Sequence, residues 1–255
     1  GAIVLSSLAI AFVGYFVWGH HMFTSGMSYN ARWFFSFLTF IVAIPSAIKV
    51  FNWISTLYGG SIDMKPPLLY AISFIFLFMI GGFTGLVLGS LATNVQTHDT
   101  AFVVAHFHYI IFGGMGFAFF AGIHYWLPKM YGRMYNNKVA NIAWVLNFTG
   151  FNLLYFPLFI IGLQGMPRRS YDYLPQFETG HVLSTVGAFI LLSGLILMVY
   201  NLVAGARRGP VAPANPWKGV TLEWTIPSPP PHENFDEIPV ITSKPYLFGS
   251  NTDTK

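Results

Sequence analysis

Apolar residues fall into six long runs along the chain, roughly Ala2–Phe23, Trp33–Tyr58, Leu68–Ala92, Thr100–Leu127, Asn141–Leu163 and His181–Ala206. About 20 such residues cross the hydrocarbon core of a bilayer as a helix, so each run predicts a membrane span. The polar connections are short, as in a compact bundle. Pro45, Gly81-Gly82, Gly113-Gly114 and Pro157 lie inside the runs, where membrane helices packed on neighbours tolerate them. No internal repeat is visible. The pattern predicts an all-α membrane protein with six transmembrane helices, occupying residues 1–206. From about Gly209 it stops: residues 207–255 are polar and proline-rich, with Ser-Pro-Pro-Pro at 228–231. Such a tail cannot bury a core of its own and is expected to lie extended on the membrane face.

Composition agrees with this. Of 255 residues, 54% are hydrophobic and only 9% charged, far from a soluble average. The formal charge of +4 informs topology. Taking the loop after the first span as side A, that side holds Arg32, Arg168 and Arg169. Side B holds Lys65, Lys129, Arg133, Lys138, Arg207, Arg208 and the tail lysines Lys218, Lys244 and Lys255. The excess of basic loop residues places side B, with the tail, in the cytoplasm. No basic run of a nucleic-acid module occurs. Cysteine is absent, which excludes disulfides, zinc–thiolate sites and iron–sulfur clusters ligated by this chain. The opening Gly-Ala-Ile-Val is already apolar and has no basic n-region. It reads as a polypeptide cut inside a membrane segment.

The ionisable residues of the spans gather toward side A. His106 and His108 stand two apart in the fourth span, so their rings point about 200° apart on a helix. They cannot share one metal, yet each can hold a group on its own face, making the helix a partition between two centres. The plainer reading is that buried histidines hydrogen-bond neighbouring helices. His20-His21 can reach one ion if the helix end is distorted, since imidazole suits copper, iron and zinc; alternatively the pair belongs to an interfacial aromatic belt. His98-Asp99 is either a polar loop or a magnesium or manganese donor pair. Arg168-Arg169 serves topology or bidentate contact with carboxylates. His181 opens the last span. Lys49 lies deep in the second span, where an ammonium is costly. It either snorkels to side B or marks a proton or ion route with hydroxyls such as Ser46 and Thr39.

Four stretches together resemble subunit I of the haem–copper terminal oxidases: Trp-Gly-His-His-Met-Phe-Thr at 18–24, Ala-Ile-Pro-Ser-Ala-Ile-Lys-Val-Phe-Asn-Trp at 43–53, His-Asp-Thr with Val-Val-Ala-His-Phe-His-Tyr over 98–109, and Gly-Met-Pro-Arg-Arg at 165–169. Leu-Glu-Trp-Thr-Ile-Pro-Ser-Pro-Pro-Pro at 222–231 resembles bacterial members. The resemblance covers nearly the whole chain and maps it onto the last six helices of a twelve-helix bundle. It implies that His20 and His21 are two of three copper ligands, that His106 is axial to a high-spin haem and that His108 is axial to a low-spin haem. It further implies Phe107 between the haems, Arg168 and Arg169 on propionates, and His98 and Asp99 on a magnesium or manganese completed by a neighbouring subunit. Lys49, with Ser46 and Thr39, would line a proton path; Ser46 stands where the family usually has threonine. Asn94 stands where many members have an aspartate near the propionates, a departure that counts against a proton-loading role at that position.

On this resemblance the chain is part of a cytochrome c oxidase, reducing dioxygen to water with proton uptake and pumping in a bacterial cytoplasmic membrane. Two haems (A-type), copper, and magnesium or manganese are its cofactors. The missing N-terminal half of the subunit, a copper-containing subunit II, subunit III and cytochrome c are its partners. His98-Asp99-Thr100 and His108-Tyr109 favour cytochrome c over a quinol donor. A quinol-oxidising relative and a haem-free six-span proton or ion transporter remain the alternatives.

Overall fold

The computed structural model describes residues 1–235 and 237–241; Lys244 and Lys255 of the tail lie outside the described residues. Six stretches are long and apolar enough to cross a membrane: Ala2–Met22, Tyr29–Leu57, Pro66–Gly89, Ala101–Tyr131, Asn137–Leu163 and Pro175–Arg208. All six expected spans are present, and no β-strand longer than an isolated bridge occurs among the described residues.

The first span is helix α1 (Ala2–Tyr15) followed by a tighter 3-10 turn, Trp18–Met22. The second span is broken in two. Helix α2 (Tyr29–Ile41) starts at Ser28, whose hydroxyl accepts the Ala31 N–H, and α3 (Ala43–Leu57) follows after Val42. Pro45 has no N–H to return to the preceding turn, and an interior proline kinks a helix. Helix α4 (Pro66–Gly89) is the third span, with proline in the first turn where its missing N–H costs nothing. A short helix, α5 (Leu91–Thr97), occupies the side A connection that the sequence leaves as a loop.

The fourth span is not one uniform helix. Helix α6 (Ala101–His108) passes into a wider π-type segment, Tyr109–Gly116, and then into α7 (Phe117–Tyr131). Gly113 and Gly114 lie in the wide segment, and a Cβ on Gly113 would stand 3.0 Å from Leu77 of α4. Helices α8 (Asn137–Leu163) and α9 (Glu178–Arg208) form the closest pair. A Cβ at Gly150 would collide with the Leu191 backbone, and one at Gly187 with the backbone of Leu153 and Leu154. In lipid, where apolar side chains gain nothing by leaving solvent, such close backbone approach drives helix association.

The chain's own core runs through α4 and α6–α9, with Tyr70, Leu77, Tyr109, Phe117 and Phe151 fully buried. Tyr135, in the side B loop, closes one end, and burial pushes its hydroxyl pKa up. The tail has no regular structure beyond a 3-10 turn at Leu222–Thr225, yet over its described length it does not simply run extended. Trp224 is 3% exposed, and the Trp217 indole donates to the Tyr125 carbonyl at 2.8 Å. The Lys129 ammonium donates to the carbonyls of Ala214, Ile226 and Pro227 at 2.9, 2.7 and 3.2 Å. A buried cation at the end of α7 needs acceptors, and the tail supplies them.

Candidate functional site

Helix α6 carries the two central imidazoles, and the structure moors them to different helices. The His106 Nδ1 faces α4, 3.0 Å from the Gly81 carbonyl and 3.2 Å from the Thr84 hydroxyl. Gly85 leaves room for the ring: a Cβ there would stand 3.0 Å from His106 Cε1. The His108 ring lies toward α8, stacked on Tyr155 with centroids 4.1 Å apart and planes 17° apart. Its Nδ1 bonds the Val104 carbonyl of its own helix at 2.8 Å. In each ring a carbonyl acceptor at Nδ1 calls for the proton there, leaving Nε2 with a lone pair. Neither Nε2 has a hydrogen-bond partner among the described residues. A histidine whose second nitrogen is fixed by a carbonyl is the usual form of a metal-binding imidazole, so both rings fit axial ligation of an iron. Phe107 stands between them in sequence and its ring lies 4.4 Å from that of His108.

His20 and His21 lie on the tight turn after α1, and their Nε2 atoms face each other at 3.0 Å. Two nitrogens held at about 2.0 Å from one ion and about 97° apart span that same edge. Thr39 fixes one proton. Its hydroxyl donates to the Phe35 carbonyl at 2.6 Å, so its oxygen accepts from His20 Nδ1 at 3.2 Å. The His20 Nε2 is then left with a lone pair, and the pair fits one copper ion. Among the described residues, no group of three His, Asp or Glu side chains could enclose a metal. An ion at this pair would take its further ligands from other donor types or from outside the described residues.

Asp99 is the pivot of the side A loops. Its backbone is left-handed, φ 52°, as is that of Arg169, φ 65°, an uncommon conformation outside glycine. The Arg168 N–H donates to the Asp99 carbonyl at 2.8 Å, and Ala101 N–H donates to the Met166 carbonyl at 2.9 Å. The Asp99 carboxylate then sits 3.6 Å from His98, 3.8 Å from Arg168 and 4.0 Å from Arg169. The four expected side A groups are thus brought together, loosely enough that each retains open coordination or hydrogen-bonding capacity. His98 and Asp99 offer an N,O donor pair to a hard cation.

The expected proton-path residues are less tightly joined. The Lys49 ammonium lies over the Trp53 ring, 5.4 Å from its centroid, one turn toward side B. The Ser46 hydroxyl donates to its own helix at Val42, 2.9 Å away, rather than meeting Lys49. Thr39 meets His20 instead. Asn94 is buried, its amide donating to the Leu88 carbonyl at 2.8 Å. His181 stacks on Tyr173 and does not join the other histidines.

Sequence reasoning passed over Thr84 and Tyr155 and took Gly81 only as a tolerated helix glycine, yet all three orient the central rings. Thr84 and Gly81 share a helical turn in a run of apolar residues, and only the small-residue spacing signals a close approach. His124 was also passed over. It is fully buried, stacks on Tyr70 at 4.9 Å and bonds the Phe120 carbonyl at 2.7 Å, deep in side B packing.

Six helices long and apolar enough to cross a membrane, with His20, His21, His106 and His108 toward one face, define an integral membrane protein. The family model for cytochrome c and quinol oxidase polypeptide I matches residues 1–190, and the chain belongs to that family. It is 46% identical over 248 residues to cytochrome c oxidase subunit 1 of Thermostichus vulcanus, covering 97% of this chain and 45% of that protein. It is 46% identical over 252 residues to the Synechocystis sp. subunit 1, covering 99% of this chain and 46% of the relative. The chain therefore spans about half the length of the curated relatives it matches. A solved haem–copper terminal oxidase dimer superposes with a TM-score of 0.69 at 26% identity, covering 76% of this chain and 40% of that one.

Proposed function

We propose that this chain forms the C-terminal half of the catalytic subunit of a respiratory terminal oxidase, which reduces dioxygen to water with electrons from cytochrome c. The observation that carries the reading is the opposed mooring of His106 against α4 and His108 against α8, each with Nδ1 engaged.

Two haems of the A type and one copper, when bound, supply one-electron storage and oxygen activation. The chain's own residues set their positions. His106 offers Nε2 to the oxygen-binding haem and is kept in that tautomer by Gly81 and Thr84. His108 offers Nε2 to the low-spin haem and is held by Val104 and Tyr155. Phe107 fills the space between. His20 and His21 hold the copper, with a third ligand from the N-terminal half of the subunit. Arg168 and Arg169 meet the haem propionates, since guanidiniums bind carboxylates bidentately. His98 and Asp99 hold magnesium or manganese, completed by the copper-containing subunit II; subunit III completes the complex.

Lys49 carries protons inward from side B. Charge arriving in a low-dielectric site must be compensated, so each electron draws a proton. The Lys49 ammonium lies over Trp53; Ser46, one turn inward on the same helix, is the next hydroxyl on the route, and Thr39, bonded to His20, follows it. This coupling makes the reaction electrogenic and proton-translocating across a bacterial cytoplasmic membrane, with the tail on the cytoplasmic side. His98-Asp99-Thr100 and Tyr109 favour cytochrome c over a quinol as donor.

The test is a dithionite-reduced minus oxidised spectrum of the purified complex, with and without carbon monoxide. Soret and alpha bands with a CO-sensitive fraction are expected. A flat trace overturns the proposal in favour of a haem-free transporter.

A further inference from the structure

A groove of about 470 Å³ opens between α4 and α7 at their side B ends, away from His20, His21, His106 and His108. Its floor is made of small residues, Ala71 from α4 and Ala118, Ala121 and Gly122 from α7. Its mouth is aromatic, with Trp126 on α7 and Trp217 from the returning tail. Tryptophan sits by preference where a bilayer meets water. From Trp126 to Ala118 is eight residues, about 12 Å of helix axis. That is most of the roughly 15 Å depth of one leaflet's hydrocarbon. The groove thus starts at the interface and ends within the same leaflet.

The polar end is built from the loop before α4. The Lys65 ammonium pairs with the Asp63 carboxylate at 2.8 Å and lies over the Trp217 ring at 5.6 Å. Ser61 lines the same end. Opposite charges therefore stand side by side above an apolar slot. A lone cation would suit an anionic headgroup, whereas this pair offers one site to a phosphate and another to an ammonium. The Lys65 N–H groups can donate to phosphate oxygens, and the Asp63 carboxylate can accept from a primary ammonium. A quaternary choline has no N–H to give it.

We propose that this groove binds a phospholipid of the side B leaflet with a phosphoethanolamine headgroup. One acyl chain lies on the Ala71–Ala121 floor, and the headgroup spans Lys65 and Asp63. The site is independent of the redox reading, since none of its lining residues is among those placed around His20, His21, His106 or His108.

The experiment uses the complete oxidase complex containing this chain, delipidated and then incubated with phosphatidylethanolamine, phosphatidylcholine or phosphatidylglycerol. Retained lipid is counted by native mass spectrometry and located by cryo-electron microscopy. Retention of phosphatidylethanolamine about tenfold above phosphatidylcholine is expected, from one charge-assisted hydrogen bond. Asp63→Asn abolishes that preference while leaving lipid in the groove, and Ala118→Leu or Ala121→Phe expels the lipid. Haem spectra stay unchanged in all three, which separates a filled groove from a misfolded subunit. Equal retention of all three lipids, preference for phosphatidylglycerol, or a partner subunit's helix lying in the groove overturns the proposal.

Discussion

The first two spans and the last four are built on different principles. Helices α4 and α6–α9 close around a shared aromatic core and interlock through glycines against backbone. Helices α1–α3 contribute none of the residues of that core; their large apolar side chains, such as Phe12 and Phe37, are as exposed as the outer faces of α4, α7 and α9. Only a few contacts tie them to the rest, such as the Ser36 hydroxyl donating to the Gly89 carbonyl at 2.7 Å. Yet α1–α3 and the turn after α1 carry His20, His21, Thr39, Ser46 and Lys49. The self-contained half supplies the rigid imidazole-bearing rod, and the open half supplies the residues that face it. The division assigns stability to one set of helices and completion of the site to the other.

The comparison is broken most severely at the interlocked helices. Gly187→Leu drives a side chain into the Leu153–Leu154 backbone, an overpacking of about 3 kcal/mol or more, and should abolish recovery of haem-loaded complex. Extraction with intact spectra would show that α8 and α9 can separate without loss. Next come the two central histidines. His108→Ala should remove the CO-insensitive absorbance, and His106→Ala the CO-sensitive absorbance, each leaving the other largely present. Loss of both signals in either variant would mean that the rod holds a single centre. In the open half, Lys49→Met should slow turnover severely while leaving the spectra as they are; unchanged turnover would remove Lys49 from the proton route. The mildest test is Thr84→Val. Gly81 still accepts from His106, so the cost should be about 1 kcal/mol, read as a small shift in the reduction midpoint of the CO-binding haem. A shift as large as that from Gly85→Val would make Thr84 the main brace.

Much of this was legible from apolar run lengths, because a membrane helix must satisfy its backbone internally and therefore needs a minimum length. The six spans appear with ends moved by a few residues. The second starts at Tyr29 rather than Trp33, since Ser28 caps a first turn that holds Asn30 and Arg32. The opposed directions of His106 and His108 followed from helical rotation alone. The role of Asp99 did not, because its partners Arg168 and Arg169 lie far along the chain and the contact depends on two left-handed residues. Lys49 pairs with Trp53, four residues on, a spacing that places both on one face; the sequence reading looked inward to Ser46 instead. The wide π-type stretch was invisible, since Tyr109–Gly116 is apolar or glycine throughout and carries no periodicity to disturb.

That stretch has a consequence for the whole fourth span. A turn closed by i→i+5 bonds holds more residues than an α-turn, so α7 leaves it rotated relative to where α6 would have carried it. The segment acts as a swivel set in mid-membrane. One half of the rod can aim His106 and His108 toward α4 and α8 while the other aims Phe117 and His124 inward to the core, without either requirement dictating the other.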